Sequence, residues 1–576
     1  MRIKITNSKN SKHYSIIQDI VKNGKRTTKV YENIGNLNSL KQRAGTEDPI
    51  IWLQNYVDNL NNKTKNKSLP IIIEKYENRI IEKDIQNSFN IGYLFLKNIY
   101  YSLKLDKICE KITNKYQFKF DLNSILSNLI YARIIYPSSK LKTLELCHNF
   151  YERPNFDYNN ILRALEIISK ESDYIQSQLY INSNKIFKRN NKILYYDCTN
   201  FFFEIEQEDE LRKYGKSKEN RPNPIVQMGL FMDGDGIPLS FEITPGNTNE
   251  QITLKPLEKK IIDDFQLADL VICTDAGLAS LENRKFNNTN TRKFITTQSI
   301  KKLKEYLKTE ALDLTKGWKL PGSSNTYDIS KLRTDEDLME KFKDKTFYKE
   351  RWIKENGLEQ RLIVTFSVKY QEYQRHIRNN QIERAKRLIE KNPTKLGKVK
   401  QNDPKRFIEI INTTSNGEIA EETYYSINQN TIDEEAKYDG LYAVCTNLED
   451  SVEDIIKVNH RRWEIEESFR IMKSEFEARP VYLSREDRIK AHFITCFLAL
   501  VIYRLLEKKI NEKYTITDVI ETIKNMNLLK EENKGYLPIY TRTDITDLLH
   551  EKFNFRTDYQ IITEKNLKKI ANQSKK

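Results

Sequence analysis

Between Val458 and Phe476 apolar residues recur with the period of a helix. Val458, Ile465, Met472 and Phe476 fall in one stripe at about 100° per residue, with Phe469 beside them, and the stretch holds no Gly or Pro. The pattern predicts a single packed helix. On the edge of its stripe Arg462, Glu466 and Lys473 stand within roughly 40° of one another, one carboxylate flanked by two cations. Taken alone, such a line also fits an ordinary solvated face carrying an Arg-Glu pair.

Elsewhere the patterning changes several times. Residues 1–84 predict a small β element, in which Tyr14–Ile17 and Thr27–Tyr31 flank a turn at Asn23-Gly24-Lys25. From 85 to 190 apolar residues fall at three and four spacing, as in Leu122–Ala132 after Asp121 and in Tyr158–Ser169, with Pro137-Ser138-Ser139 between them. Short helices with basic loops such as Lys140-Leu141-Lys142 are compatible with DNA reading as well as with a purely structural bundle. From 191 to 300 strand formers dominate. Ile193–Tyr196 ends in Asp197, Thr199–Ile205 forms a second run, and Ile225–Met232 and Leu239–Ile243 follow. Glu250–Phe265 then reads as a helix, and Leu270–Thr274 as a buried strand capped by Asp275-Ala276-Gly277.

Residues 301–436 are too many to join consecutive elements of a compact core as a bare loop. They predict a β-rich insertion standing apart from the core sheet, with strands at Phe347–Trp352, Arg361–Ser367 and Thr423–Ile427 and a basic helix over Tyr370–Lys391 halted by Pro393. Residues 437–510 return to the core through the strand Leu441–Cys445, the stretch around Glu466 and an apolar helix, Ile489–Leu506, expected to be buried behind the sheet. Residues 511–576 predict further helices and a mobile Lys-rich tail over 565–576. The fold class expected is α/β, a mixed sheet flanked by helices.

Charge narrows the partners. The 576 residues carry a net charge of +15, a pI near 9.1 and 31% charged side chains, with Lys and Arg spread along the whole chain, which suits a polyanion touching several regions. The six cysteines form no CxxC pair, so neither a zinc site nor a disulfide framework is expected, and reduced thiols in the cytoplasm are the simplest account. The N-terminus lacks the apolar core of a signal peptide, and the apolar run near Phe493–Leu506 is too short to span a bilayer, so no membrane association is expected.

An Asp after a strand is commonly a turn former. Asp197 and Asp275 together, with a later helical Glu466 beside cations, make an acidic triad that could hold two divalent ions for phosphoryl transfer, and oxygen ligands suit Mg²⁺, for which Mn²⁺ can substitute. Here the chain resembles bacterial insertion-sequence transposases of the DDE type. The resemblance runs from about residue 190 to 510 on Tyr196-Asp197-Cys198-Thr199, Thr274-Asp275-Ala276-Gly277-Leu278 and the Arg462–Arg470 text, with Lys216–Gly229 and Pro245-Gly246-Asn247-Thr248 also familiar. The family signature is Tyr, two residues, Arg, three, Glu, six, Lys. Arg462, Glu466 and Lys473 match it, whereas the Tyr position holds Asn459 and His460 is a candidate substitute.

The resemblance implies a ribonuclease-H-like core, with Asp197, Asp275 and Glu466 as metal-binding catalytic acids. It implies double-stranded DNA as partner, both the inverted-repeat ends of the element and the target, and a homodimer assembled on DNA. Arg462, Lys473, Asn459, His460 and Arg470 are then candidate DNA contacts, while Trp318 and Trp352 are candidates for stacking on an unpaired base or for the core. A nuclease of this fold without strand transfer, or a DNA-binding regulator derived from such an enzyme, are the competing functions.

Overall fold

The computed structural model describes residues 1–8, 11–22, 25–45, 48–65, 71–78, 80–391, 403–413 and 422–576. It forms two compact units, Met1–Ile85 with Glu531–Lys534, and Gln86–Lys530 with Gly535–Lys576. In the first, strands Arg2–Ser8, Ser11–Lys22 and Lys25–Asn36 make an antiparallel meander. Tyr14, Ile16 and Ile34 of this sheet pack on Leu40, Leu53 and Val57 from the helices Leu37–Ala44 and Pro49–Lys65. The expected turn residues Asn23 and Gly24 lie outside the described residues.

The second unit is built on one ten-stranded mixed sheet. From one edge its strands are Thr326–Tyr327, Trp318–Lys319, Thr346–Glu355, Leu358–Ser367, Leu441–Thr446, Arg292–Thr297, Leu270–Thr274, Ile193–Phe202, Ile225–Asp233 and Pro238–Pro245. Leu270–Thr274 runs parallel to both its neighbours, and the other pairings named here are antiparallel. The last five strands, in sequence order 3-2-1-4-5 from the Pro238–Pro245 edge, have the connectivity expected of a ribonuclease-H-like core. Pro245 closes the third strand, and Glu250–Phe265, capped by Asn249, crosses back to the fourth.

Three expectations change here. Thr346–Glu355 and Leu358–Ser367 are not a subdomain apart from the core, because Leu358–Ser367 pairs with Leu441–Thr446, which pairs with Arg292–Thr297. The buried apolar run Leu362–Phe366 of the second strand needed a paired neighbour on each side, and the core strand edge supplied one. The Lys-rich C-terminus is a helix, Glu564–Gln573, held by buried Leu567, Ile570 and Ala571. Finally, the apolar run near Phe493–Leu506 is part of a longer helix, Glu486–Lys509, that is long and apolar enough to cross a membrane, yet 94% of its apolar window is enclosed by protein. It is a core helix, sandwiched between the sheet and the helices Leu122–Ile135 and Tyr158–Lys170. Pro393, expected to halt the helix observed over Val368–Lys391, lies outside the described residues.

Glu258 gives this core a pH dependence. Fully buried on Glu250–Phe265, it accepts one bond from Asn287 Nδ2 at 2.9 Å, and burial pushes its carboxyl up to about 7 despite that bond and the Arg292 charge. A folded value above the unfolded 4.5 means that folding takes up a proton between the two, so stability falls as pH rises through that window. Glu258→Gln removes the ionisable form. It is expected to match the wild type near pH 4 and to exceed it by up to about 3 kcal/mol at pH 8, as measured by urea denaturation across pH. A gain independent of pH would refute the assignment.

Candidate active site

Strand alternation decides where the acidic side chains face. In Ile193–Phe202, Leu194, Tyr196 and Cys198 pack in the core beneath Glu250–Phe265, while Tyr195 and Phe201 join the core that includes Ile465, Phe469 and Glu486–Lys509. Asp197 shares the parity of Tyr195 and Phe201 and so lies on the second face. On the neighbouring strand Cys273 belongs to that same core and Ile272 to the other, which sets Asp275 on the side of Asp197. Tyr195 Oη donates to Val458 O at 2.8 Å, and Cys273 Sγ lies 3.9 Å from Asn459 Oδ1, fixing the segment that leads to Glu466 over the two strands.

The parallel pairing stops at Tyr196 opposite Thr274. Asp197 and Asp275 are therefore the next residues on adjacent strands, about 4.8 Å apart in backbone spacing. Contrary to the reading of two separate runs, Ile193–Phe202 is one strand, and Asp197 sits in its middle because the antiparallel ladder with Ile225–Asp233 continues past it. Its Oδ1 accepts from the Cys198 N–H at 2.7 Å. Burial pushes the Asp197 carboxyl up to about 6; Lys218, the Cys198 N–H and Arg462 oppose the rise and Asp275 adds to it. Asp275 Oδ1 accepts from the Leu278 N–H at 3.0 Å.

The segment carrying Glu466 is not the single regular helix that the periodicity predicts. Val452–His460 and Trp463–Arg470 meet at Arg461-Arg462, where the bonds tighten: Arg462 N–H reaches Asn459 O at 3.2 Å and Ile465 N–H reaches Arg462 O at 3.2 Å. Ile471–Glu475 then widens into a π turn, with Phe476 N–H bonded to Ile471 O at 3.0 Å. Ile471, Met472 and Phe476 are all buried in one core, and packing there overrides the regular helix. The apolar stripe survives, but the polar line is bent. Arg462 still pairs with Glu466 at 3.0 Å, whereas Lys473 is directed to Glu219 at 3.4 Å.

Arg462 links the three acids electrostatically. Burial works against its charge, and Tyr442, Glu466, Asp197 and Asp275 outweigh burial and hold its guanidinium more firmly protonated than usual. Lys473 is pushed down to about 8 by burial and by Lys218, with Asp197 opposing. Glu466 is exposed, and its carboxylate is turned to Arg462. The three acids do not draw together as tightly as Asp547, His550 and Asp558, whose ligand atoms lie within 4.8 Å of one another. That other cluster is an ion-pair network, since Arg542 and Arg556 hold both its carboxylates at 2.6–3.0 Å.

The other predicted residues separate by exposure. Asn459 is buried and donates to Tyr442 Oη at 3.1 Å, which makes it a second layer behind Arg462 with no surface for DNA. Trp318 is fully buried and donates Nε1–H to Asp313 O at 2.9 Å, so it has no free face for a base. Trp352 is 46% exposed on Thr346–Glu355, His460 is exposed, and Arg470 is exposed and paired with Glu475 at 3.2 Å.

Sequence reasoning missed Lys218, Glu219 and Tyr442. Lys218 Nζ bonds Cys198 O and lies 3.4 Å from Glu250, and its charge is held by Asp197 and Glu250 against the cost of burial. Glu219 gathers Lys473, Arg479 and, at 3.8 Å, Arg221. The basic, Pro-broken stretch Lys216–Pro224 was the available signal for the first two. Its first residues, Lys216–Lys218, wall a cleft of about 520 Å³ with Gln227, Gly246 and Glu250. Gly215 and Gly246 approach so closely there that a Cβ on Gly215 would stand 2.1 Å from Gly246 O.

Two solved structures are similar over parts of the chain. A piggyBac transposase synaptic complex with hairpin DNA shares 7% identity over 84% of each chain, with a TM-score of 0.36. A Mos1 transposase paired-end complex with left transposon end shares 9% identity over 43% of this chain and 68% of that one, with a TM-score of 0.13. Neither likeness bears on the chemistry of this chain, and no curated protein matches it. The model of the transposase DDE domain matches residues 201–502, a segment that contains Asp275 and Glu466 and begins four residues after Asp197. Because that match spans more than half of the 576 residues, this protein belongs to the transposase DDE domain family.

Proposed function

We propose that the chain is a transposase that cuts DNA at the inverted-repeat ends of an insertion sequence and joins them to target DNA, with Asp197, Asp275 and Glu466 as its catalytic acids. The observation that carries this reading is the placement of Asp197 and Asp275 side by side just past the point where the parallel ladder between their strands stops, with Arg462 acting on both and on Glu466. Asp197 is a desolvated carboxyl beside a second carboxyl, and excess negative charge in such a setting favours a hard divalent cation. Asp197, Asp275 and Glu466 would hold Mg²⁺, which supplies Lewis-acid activation of an attacking oxygen and charge stabilisation of a leaving one. Glu466 reaches the aspartates once a DNA phosphate takes over Arg462. Arg462, Lys218 and Lys473 bind backbone phosphates and hold the strand against the acids, and exposed Trp352 and His460 border the path of the DNA. A homodimer assembled on paired ends accommodates two such sites.

Replacing Asp197, Asp275 or Glu466 by Ala is expected to reduce cleavage of a duplex bearing the element's inverted repeats by more than about 100-fold, since even outer-shell partners of a metal are worth 10–100-fold. Binding of that duplex should persist, because phosphate contacts are separate from metal-held chemistry. Added Mg²⁺ should raise the melting temperature of the wild type and not of Asp197→Ala. Retained cleavage in any of the three variants overturns the triad, and cleavage by the wild type without joined products makes the chain a nuclease of the same fold.

Glu219 occupies the cations that a phosphate would otherwise meet. Glu219→Gln should therefore tighten duplex binding at low salt and steepen the dependence of log K on log salt by up to about one unit. Anisotropy titrations at several salt concentrations check this. Weaker binding in that variant would show that Glu219 orders the cations instead of competing for them.

A further inference from the structure

A second cleft, of about 580 Å³, lies away from the carboxylates, between the turn Pro137-Ser138-Ser139, the start of the helix Lys140–Cys147 and the segment Glu477–Leu483. Two cations are sunk into its wall. Arg133 is 3% exposed and Lys140 is 5% exposed. Arg133 spends its two terminal nitrogens on Phe476 O at 2.8 Å and Ser138 O at 2.9 Å, which leaves Nε without a partner. Lys140 Nζ has no hydrogen-bond partner, and no described carboxylate pairs with either cation. The one carboxylate on the lining, Glu477, is exposed at the rim.

Burying an ammonium without a counter-charge costs several kcal/mol, and here the cost is visible. Burial and the Arg133 charge push the Lys140 amine down to about 7. Buried His492, on the same lining, is held neutral by burial and by the two cations, so it offers no compensation. The first turn of Lys140–Cys147, whose Lys142 N–H is capped by Ser139 Oγ at 3.3 Å, adds the positive end of a helix dipole. Two buried cations, unspent donors and an open cleft make a surface complete for an oxyanion and incomplete without one. The cleft also shares Arg479 with the cation group around Glu219, which connects it to the carboxylate site.

We propose that this cleft is a second phosphate-binding subsite, in which Lys140 and Arg133 take a backbone phosphate of the DNA at a distance from the cut. The proposal rests on the reading of the chain as acting on DNA. The chemistry it shares with free phosphate or a nucleotide is that of a phosphate oxyanion, and the shared Arg479 favours the backbone as its source. Leu141, 57% exposed at the mouth, makes no part of the charge and can be altered without disturbing the core.

The test uses the full chain without divalent metal, so it does not depend on the catalytic triad. Wild type, Lys140→Met, Lys140→Arg and Leu141→Glu are titrated with a short fluorescent duplex at several salt concentrations. Their melting temperatures are also compared in inorganic phosphate and in chloride of equal ionic strength. The expected result is that Lys140→Met melts no lower than the wild type and loses about one unit of salt slope. Lys140→Arg should restore the slope, and Leu141→Glu should weaken binding severalfold. A phosphate-specific rise in wild-type melting temperature that Lys140→Met abolishes, with the duplex slope unchanged, would overturn the backbone source in favour of a free phosphate. Unchanged slope and unchanged phosphate response in Lys140→Met overturn the subsite, and if that variant fails to fold, unaltered binding by Leu141→Glu does so.

Discussion

The desolvation of one aspartate governs the arrangement around it. Asp197 faces the side of the sheet that the Trp463–Arg470 helix covers, because strand parity leaves it no other choice. A carboxyl so placed resists ionisation, the more so with Asp275 beside it, and it is tolerated because Lys218 and Arg462 converge on it. Each of those cations is then committed to further acids, Lys218 to Glu250 and Arg462 to Glu466. The surrounding charges form a closed set of pairings that a polyanion or a divalent cation would reorder.

Much of this was legible because it rests on local pattern. Glu250–Phe265 and Leu270–Thr274 coincide with their periodic signals, and the apolar stripe Val458–Phe476 does pack. What escaped depends on neighbours distant in sequence. Asp197 reads as a strand end because Asp is a turn former, yet the pairing of Ile193–Phe202 with Ile225–Asp233 carries the strand through it. The π turn at Ile471–Glu475 follows from three side chains sharing one core, which helical periodicity does not encode. Trp318 and Asn459 carry no mark that separates a buried partner from an exposed contact, and both are buried. Tyr442 lies within a run of strand formers, where nothing distinguishes its phenol until the fold brings it to Asn459 and Arg462.

A buried polar anchor sets the height of the helix that carries Glu466. Arg504, 5% exposed on Glu486–Lys509, donates to Glu467 at 2.8 Å, to Ser468 Oγ at 3.1 Å and to Glu464 O at 3.3 Å. Unlike apolar packing, these bonds have direction, so the third acid is positioned by the deepest helix of the core as well as by its own stripe. The tightened turn at Arg461-Arg462 and the wide turn at Ile471–Glu475 bracket a short rigid piece held by that anchor.

The ten-stranded sheet also orders events in time. Thr297 pairs with Val444 and Arg361 with Thr446, so the strand that closes the core edge is made some 150 residues after its first partner. A chain emerging N-terminus first presents Asp197 and Asp275 long before the edge can be sealed, and Glu466 follows only after the sealing strand. Truncated products that stop within the 301–436 segment therefore carry Asp197, Asp275 and an open sheet edge but lack Glu466 and the strand that seals that edge.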